Sequence, residues 1–216
     1  MRNIIVCLCF IIFTSIAFCQ TDSLSTGGTA SSSDKEIFIS GGLVYPYLPD
    51  EFKDFWKSGL NASAGFGFSF TPGDIGYSSL IATIDYSKFN FNESKYRNSM
   101  NKNDPDTIIS AGPAKSFTFS VSYKGTFSTT KKSIAPYFLI GFGYMFFNTD
   151  SVTVNRRNGL LPNDANTSAF TWSVGIGVEI PVGNQLAGYI QARSVLGAFD
   201  RPIQYFPVNA GIRLRF

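Results

Sequence analysis

The chain has 216 residues, which is long enough for one sizeable domain. Charged residues make up 15% of it, well below the roughly 25% usual for soluble domains, whereas 16% of the residues are aromatic. A net charge of +3 is too small to favour nucleic acid as a partner. The composition therefore predicts a protein with an unusual surface and no role in nucleic-acid binding.

Residues 1–19 are organised like a secretory signal peptide. Arg2 supplies the positive start, residues 3–16 are almost wholly apolar, and Ala17 and Cys19 suit a cleavage site. The apolar stretch is short and no stop-transfer pattern follows, so a membrane helix is not expected. We expect cleavage after Cys19. The alternative is lipidation of Cys19, which the bulky Phe18 before it disfavours.

The rest of the chain lacks the residues that many small exported proteins depend on. All three cysteines, Cys7, Cys9 and Cys19, fall in the predicted signal peptide, and the chain has no histidine. Disulfides therefore cannot stabilise the mature protein. Residues 20–35 are rich in Ser, Thr and Gly and have no periodicity, so a disordered linker is predicted there. No later apolar run reaches the ~18 residues of a membrane helix.

Eight segments beyond the linker show the alternation of apolar and polar residues that is typical of β-strands. In 62–70, for example, Ala and Phe alternate with Ser and Gly. The last segment ends in VNAGIRLRF, where Ile212, Leu214 and Phe216 alternate with Arg213 and Arg215. The eight segments are 36–46, 59–71, 76–91, 113–128, 134–148, 167–182, 186–198 and 205–216.

The connections between these segments alternate between short and mostly long. TPGDIG, STTKKS and VGNQ are tight, whereas the links after the first, third and fifth segments are long and the one after the seventh, FDRPIQ, is shorter. The first long link contains a predicted short amphipathic helix over 50–56. In a meander every second link emerges at the same end. The pattern therefore predicts an all-β fold, an eight-stranded antiparallel up-and-down transmembrane β-barrel spanning 36–216.

The alternation alone does not say which face of the strands points outward. In a soluble sandwich or lipocalin-like barrel, the alternative, the apolar face would point inward. However, the polar face is mainly Ser, Thr and Gly instead of the mixed charges of a water-facing surface. The segments are also longer than the usual 5–6 residues. Only Lys88 falls on the apolar face, near a strand end where it could snorkel. We therefore expect the apolar face to meet lipid.

The chain resembles the small outer-membrane β-barrels, such as the OmpA transmembrane domain and OmpX. Within that group, EFKDFWKSGLNASAGFGFSFTP (51–72) and APYFLIGFGY (135–144) look like the outer-membrane β-barrel domain proteins common in Bacteroidetes. The resemblance implies location in the bacterial outer membrane after export. It also implies that the C-terminal Phe216, with Leu214 and Ile212, is an assembly signal for the barrel-assembly machinery.

The predicted interior gathers polar and charged side chains. Enclosed charges are costly unless they are paired, so we expect an ion-pair network that plugs the lumen, although a narrow conducting path is the alternative. The predicted interior has four cations but only two anions. Water, chain termini or rim residues must therefore balance the excess positive charge. Gln191 and Asn209 also point inward. The predicted charged lumen residues are Asp85, Lys124, Glu179, Arg193, Arg213 and Arg215.

No catalytic, cofactor or metal site is predicted. The resemblance implies that enzymatic barrels of the outer membrane use a histidine, which this chain lacks. Asp85 and Glu179 are the only inward carboxylates, and among arginines they are expected to be structural. The Gly-x-Gly sequences at 65–67, 141–143 and 175–177 lack the third glycine and helix of a dinucleotide site.

The long loops remain the candidate binding surface. Loops 92–112 and 149–166 carry several charges each and suit lipopolysaccharide phosphates or a surface partner. The sequence thus predicts a monomeric outer-membrane barrel with a structural or surface-binding role, in contact with membrane lipid. The alternative function is a narrow channel or an accessory to transport or secretion.

Overall fold

A computed structural model describes residues 35–70, 76–99, 109–128, 133–149, 152–154, 157–159, 167–183 and 185–216. The predicted signal peptide and residues 20–34 of the predicted linker lie outside them. The described residues form two helices, α1 (Asp50–Phe55) and α2 (Glu93–Ser99), and eleven strands. The strands are β1 (Lys35–Leu48), β2 (Trp56–Ser69), β3 (Tyr77–Phe91), β4 (Ile109–Ala111), β5 (Ala114–Thr126), β6 (Ala135–Asn148), β7 (Val152–Val154), β8 (Arg157–Gly159), β9 (Thr167–Pro181), β10 (Leu186–Gly197) and β11 (Ile203–Arg215).

The eight long strands close into a barrel in chain order. The neighbours run β1, β2, β3, β5, β6, β9, β10, β11 and back to β1, and every pair is antiparallel. The backbone N–H of Lys35 donates to the carbonyl of Phe216 at 2.9 Å, and Phe216 returns the bond at 3.0 Å. The predicted all-β, eight-stranded up-and-down barrel is confirmed, with the first strand beginning at Lys35.

The connections contain structure that the sequence did not predict. Strands β4, β7 and β8 form a separate three-stranded sheet, and at three residues each they are too short to show a period-two pattern. Helix α1 matches the predicted amphipathic helix, since Phe52 is buried while Asp50 and Glu51 are exposed. Helix α2 lies in a segment that was predicted as loop. No helix among the described residues is long and apolar enough to cross a membrane.

The apolar face of the barrel strands points outward. On β9, Trp172 is 62% exposed and Ile176 is 69% exposed. Ser173, which lies between them, and Glu179, which follows them, are both buried. Large apolar side chains are exposed on every one of the eight barrel strands. The alternative with the apolar face inside is therefore wrong, and the polar face lines the interior.

Glycines on the inner face leave room for large side chains from neighbouring strands. A Cβ atom on Gly177 would lie 2.4 Å from the ring of Tyr137, and one on Gly175 would lie 2.6 Å from Cγ of Arg193. Both distances are too short for a real carbon atom. These glycines are thus structural, as the absence of a phosphate-loop pattern indicated.

Candidate functional site

The interior of the barrel is the candidate site, and its two ends differ. We call the end that carries α1, α2 and the long connections the loop end. The other end, where the strand termini Lys35 and Arg215 lie, is the turn end. Inward-facing side chains fill the space between these ends, and they fall into three groups.

The group at the turn end, the charged cluster, is made of carboxylates and cations from four barrel strands. Glu179 is at its centre and is almost completely buried. Its Oε1 accepts a hydrogen bond from Lys124 Nζ at 2.6 Å and one from Arg213, and its Oε2 accepts one from Arg215. Tyr77 also donates to Glu179, at 2.9 Å. We define the charged cluster as Glu36, Lys124, Glu179, Arg213 and Arg215.

Glu36 is a lumen anion that sequence analysis missed. It is 1% exposed, and its Oε1 lies 3.1 Å from Arg213 Nη1 and 3.7 Å from Lys124 Nζ. The interior of the described barrel strands therefore holds three carboxylates against four cations, which corrects the predicted count of two. The signal was present: Glu36 is in phase with Phe38 and the other inward residues of β1.

Aromatic rings contact the cations of the charged cluster. The guanidinium carbon of Arg213 lies 5.3 Å from the ring centroid of Phe38 and 5.2 Å from that of Tyr189. Lys124 Nζ lies 5.3 Å from the ring of Tyr137. The negative ring faces attract these cations. The cluster has three cations and two carboxylates, so this attraction helps to stabilise its extra positive charge.

The second group occupies the middle of the lumen. Arg193 donates to both carboxylate oxygens of Asp85, at 3.2 Å for Nη1 to Oδ2 and also from Nη2 to Oδ1. Asn209 Nδ2 donates to Asn61 Oδ1 at 2.6 Å, and Asn61 Nδ2 donates to Ser87 at 2.8 Å. The small polar cavity beside Asp85 and Arg193 has room for about one water molecule.

The two carboxylates that were predicted inside the lumen, Asp85 and Glu179, do not share a site. Asp85 is bound by Arg193 in the middle of the lumen, whereas Glu179 is bound by the cations of the charged cluster. Gln191 accepts a hydrogen bond from Tyr137 at 3.2 Å. Within the described residues, no three His, Cys, Asp or Glu side chains come together as metal ligands would. The arrangement therefore supports ion pairing and packing.

The third group, the aromatic plug, closes the loop end. The ring of Phe52, from α1, lies 5.0 Å from that of Phe89 and 5.5 Å from that of Phe147. Phe89 in turn lies 5.5 Å from Tyr205, measured between ring centroids. Sequence analysis missed this group, although Phe89 and Phe147 continue the inward phase of their strands. We define the plug as Phe52, Trp56, Phe89, Met145, Phe147 and Tyr205, all of them buried.

Helices α1 and α2 are joined outside the lumen. Lys95 Nζ donates to Asp54 Oδ1 at 2.5 Å, and this hydrogen bond is the main reason that the pKa of Asp54 lies below its ordinary value. Tyr96 of α2 is buried against the ring of Phe55 at 5.4 Å. The two helices therefore hold each other at the mouth of the barrel.

The predicted assembly signal lies on the outer face. Ile212 is 53% exposed, Leu214 is 41% exposed and Phe216 is 61% exposed. Arg213 and Arg215 between them point into the charged cluster. The last strand thus presents three apolar side chains to its surroundings.

Comparison with known proteins finds solved structures that are similar to this chain. No family model matches the chain, and no curated protein matches it either. Neisserial surface protein A aligns over 87% of this chain and 100% of its own, at 14% identity and a TM-score of 0.49. The outer membrane enzyme PagL aligns over 82% and 98%, at 12% identity and a TM-score of 0.48.

A third solved structure that resembles this chain is Ail, the attachment invasion locus protein of Yersinia pestis. It aligns over 84% of this chain and 99% of its own, at 15% identity and a TM-score of 0.45. The strand pairing of this chain establishes its barrel independently of these comparisons.

Proposed function

We propose that this protein is a monomeric barrel of the bacterial outer membrane, with a closed lumen and a structural or surface-binding role. The observation that carries the proposal is the inverted distribution of side chains. Apolar residues cover the outside of all eight strands, whereas the carboxylates of those strands lie inside. Leaving a Leu, Ile or Phe side chain in water instead of an apolar medium costs about 1.5–3 kcal/mol. A lipid surrounding removes that cost around the whole barrel.

Closure of the sheet supports the same proposal. In lipid every backbone donor and acceptor needs a partner within the protein, which a barrel without edges provides. The barrel strands are 12–15 residues long, more than the 9–11 residues or so that a tilted strand needs to span a bilayer. Export by a cleaved signal peptide over 1–19 belongs to the proposal. The narrower assignment to the β-barrel domain proteins of Bacteroidetes is also part of the proposal, because it rests on residues 51–72 and 135–144 alone.

The filled lumen supports a role without conduction. The charged cluster at the turn end and the aromatic plug at the loop end each occupy the interior. We also propose no enzymatic role, since Asp85 and Glu179 are both held by cations and the chain has no histidine. Interior charges then serve to hold the barrel together.

The surface-binding part of the proposal rests on the loops. Strand β4 comes from loop 92–112, while β7 and β8 come from loop 149–166, and the three strands pair in one small sheet. The two charged loops thus meet in this sheet. A sheet of this kind is a firm support for binding residues. Their partners would be lipopolysaccharide or a surface protein.

The outward C-terminal residues fit a role in biogenesis. Ile212, Leu214 and Phe216 would be read by the barrel-assembly machinery before the last strand closes against β1. Removal of Phe216 is expected to lower the amount of folded protein in the outer membrane. A matched variant, Phe206→Ala, also removes an outward aromatic from β11 but leaves the terminus intact.

Conductance of the purified protein tests the proposed function. We expect no single-channel currents after insertion into a planar bilayer, with a known porin as the positive control. Phe52→Ala, which opens only the loop end, should also remain silent because the charged cluster still fills the turn end. Reproducible unitary currents from the native protein would contradict the closed lumen and favour the channel function.

A further inference from the structure

The charged side chains of the barrel strands are sorted by face. Every carboxylate, namely Glu36, Asp85 and Glu179, points into the lumen. Every charged side chain on the outer face of those strands is a lysine, which corrects the prediction that Lys88 alone lies on that face. Lys35 lies at the turn end, and the other three lie at the loop end of the neighbouring strands β2, β3 and β5: Lys57, Lys88 and Lys115.

Two of these lysines stand directly opposite each other. Lys88 on β3 and Lys115 on β5 are register partners. The Cβ atoms of such partners lie about 4.5–5.5 Å apart, and like charges there destabilise a sheet. No ion pair among the described residues includes either lysine. An anion between the two ammonium groups would remove the repulsion.

An open groove adjoins Lys115 on the outer face. The rings of Tyr86, Phe117 and Phe146 line it, and Asn148 and Ser168 line it on the side of the loop end. On β3, β5 and β6 the polar residue stands two positions nearer the loop end than the ring. The groove is therefore apolar toward the middle of the barrel and polar toward its rim.

We propose that this groove binds a phosphorylated, acylated sugar lipid of the lipid A type. Its phosphate would lie between Lys88 and Lys115, and an acyl chain would lie along Phe117 and Phe146. This proposal rests on the proposed function, which places the loop end of the barrel in the outer leaflet. It deepens that function by naming the class of lipid that the barrel binds there.

Charge favours a phosphomonoester as the bound group. A phosphomonoester carries about −1.5 to −2 at neutral pH, which matches the two positive charges of the lysine pair. A phosphodiester headgroup carries a single negative charge and would leave part of the repulsion. Lysine binds phosphate as a point charge, and Asn148 and Ser168 make the rim side of the groove polar, where the sugar would lie.

Lipid binding to the full-length folded barrel tests the proposal. Native mass spectrometry from neutral detergent micelles would compare three probes: lipid A, dephosphorylated lipid A and phosphatidylglycerol. We expect lipid A to bind with a Kd at least about tenfold lower than either other probe. The double variant Lys88→Gln/Lys115→Gln should lose about tenfold in affinity for lipid A and little for the other two.

Lys35→Gln is the matched control, because Lys35 is also an outward lysine but lies at the turn end. Its affinity for lipid A should equal that of the native protein. Equal binding by the native protein and the double variant would overturn the proposal, and so would phosphatidylglycerol binding as tightly as lipid A. An equal loss in the Lys35 control would overturn it as well, since it would indicate general charge attraction.

Stability gives a second readout with opposite signs. Without lipid A, Lys115→Gln should unfold at a higher temperature than the native protein, because the like-charge pair is gone. With lipid A, the native protein should be the more stable of the two. A band shift on boiling shows that each variant is folded. A folded barrel without this sign reversal would overturn the lipid site alone and leave the proposed function standing.

Discussion

The two ends of the lumen are filled by side chains of different origin. At the turn end, all five members of the charged cluster come from strands of the barrel wall. At the loop end, one central ring of the aromatic plug, Phe52, comes from helix α1, which lies outside the wall. A group supplied by a short helix can move while the sheet stays closed. Loss of the charged cluster should therefore weaken the whole barrel, whereas loss of Phe52 should mainly loosen one end.

Removal of the central carboxylate should have the largest effect. Glu179→Gln leaves three buried cations with Glu36 as their only carboxylate in the charged cluster. Breaking a buried ion pair from one side costs about 3–5 kcal/mol. We expect a loss of that size in the free energy of unfolding, measured by urea titration in lipid vesicles.

The control for that experiment is an exposed ion pair. Glu51 lies 3.6 Å from Arg201, and both side chains are more than half exposed. Glu51→Gln should change the unfolding free energy by about 1 kcal/mol or less. If Glu179→Gln and Glu51→Gln lowered the free energy of unfolding equally, the charged cluster would not be what stabilises the turn end.

The Phe52→Ala variant separates the two ends. A buried Phe→Ala change lowers the free energy of unfolding by about 3–5 kcal/mol. We expect a loss of about 3 kcal/mol here, because α1 is short and can shift. The fluorescence of Trp56, in a Trp172→Phe background, should move to longer wavelength as water reaches the plug. An unchanged Trp56 spectrum would show that Phe52 does not seal the loop end.

Packing of the turn end can be probed at a single glycine. Gly177→Ala forces a carbon atom against the ring of Tyr137, and overpacking of this kind costs about 1–3 kcal/mol. The outward Gly188 has only one atom within 4 Å of an added Cβ, at 3.9 Å. Gly188→Ala should therefore be almost neutral in the same unfolding assay. Equal effects at the two positions would mean that the inner face has free space.

The smallest expected effect concerns the contact between α1 and α2. The pKa of Asp54 lies below its ordinary value of 3.8 because Lys95 donates a hydrogen bond to it. A lowered carboxyl pKa stabilises the contact above pH 3.8, and this contribution disappears as the pH falls through the lowered pKa. Lys95→Gln should raise the pKa of Asp54 in an NMR titration, and Lys53→Gln should raise it less. The reverse order would contradict the contact.

Strand positions and sidedness could be predicted from sequence because they follow from a local pattern. A period of two places alternate residues on opposite faces, so Lys124, Glu179 and Arg213 were placed inside without any structure. The same phase places Phe89 and Phe147 inside as well, against the expectation of a polar interior. Their position follows from the alternation and not from the composition of the other inward residues.

Other features depend on contacts between distant segments. Helix α1 was predicted over 50–56, but that Phe52 enters the barrel depends on the rings of Phe89 and Phe147, which come from distant strands. Glu36 lies only five residues before the glycine pair at 41–42, which weakens the alternation of the first strand. The sheet that joins loops 92–112 and 149–166 has strands of three residues, too short for a periodic signal.

Two tryptophans test the central claim, that the barrel carries its apolar face outside. They are the only ones in the chain: Trp172 is 62% exposed on the outer face, and Trp56 is 4% exposed in the aromatic plug. Single-tryptophan variants, Trp56→Phe and Trp172→Phe, would be folded into vesicles whose lipids carry brominated acyl chains. The account predicts strong quenching of Trp172 and little quenching of Trp56. Quenching of Trp56 with Trp172 unaffected, or of neither, would contradict it.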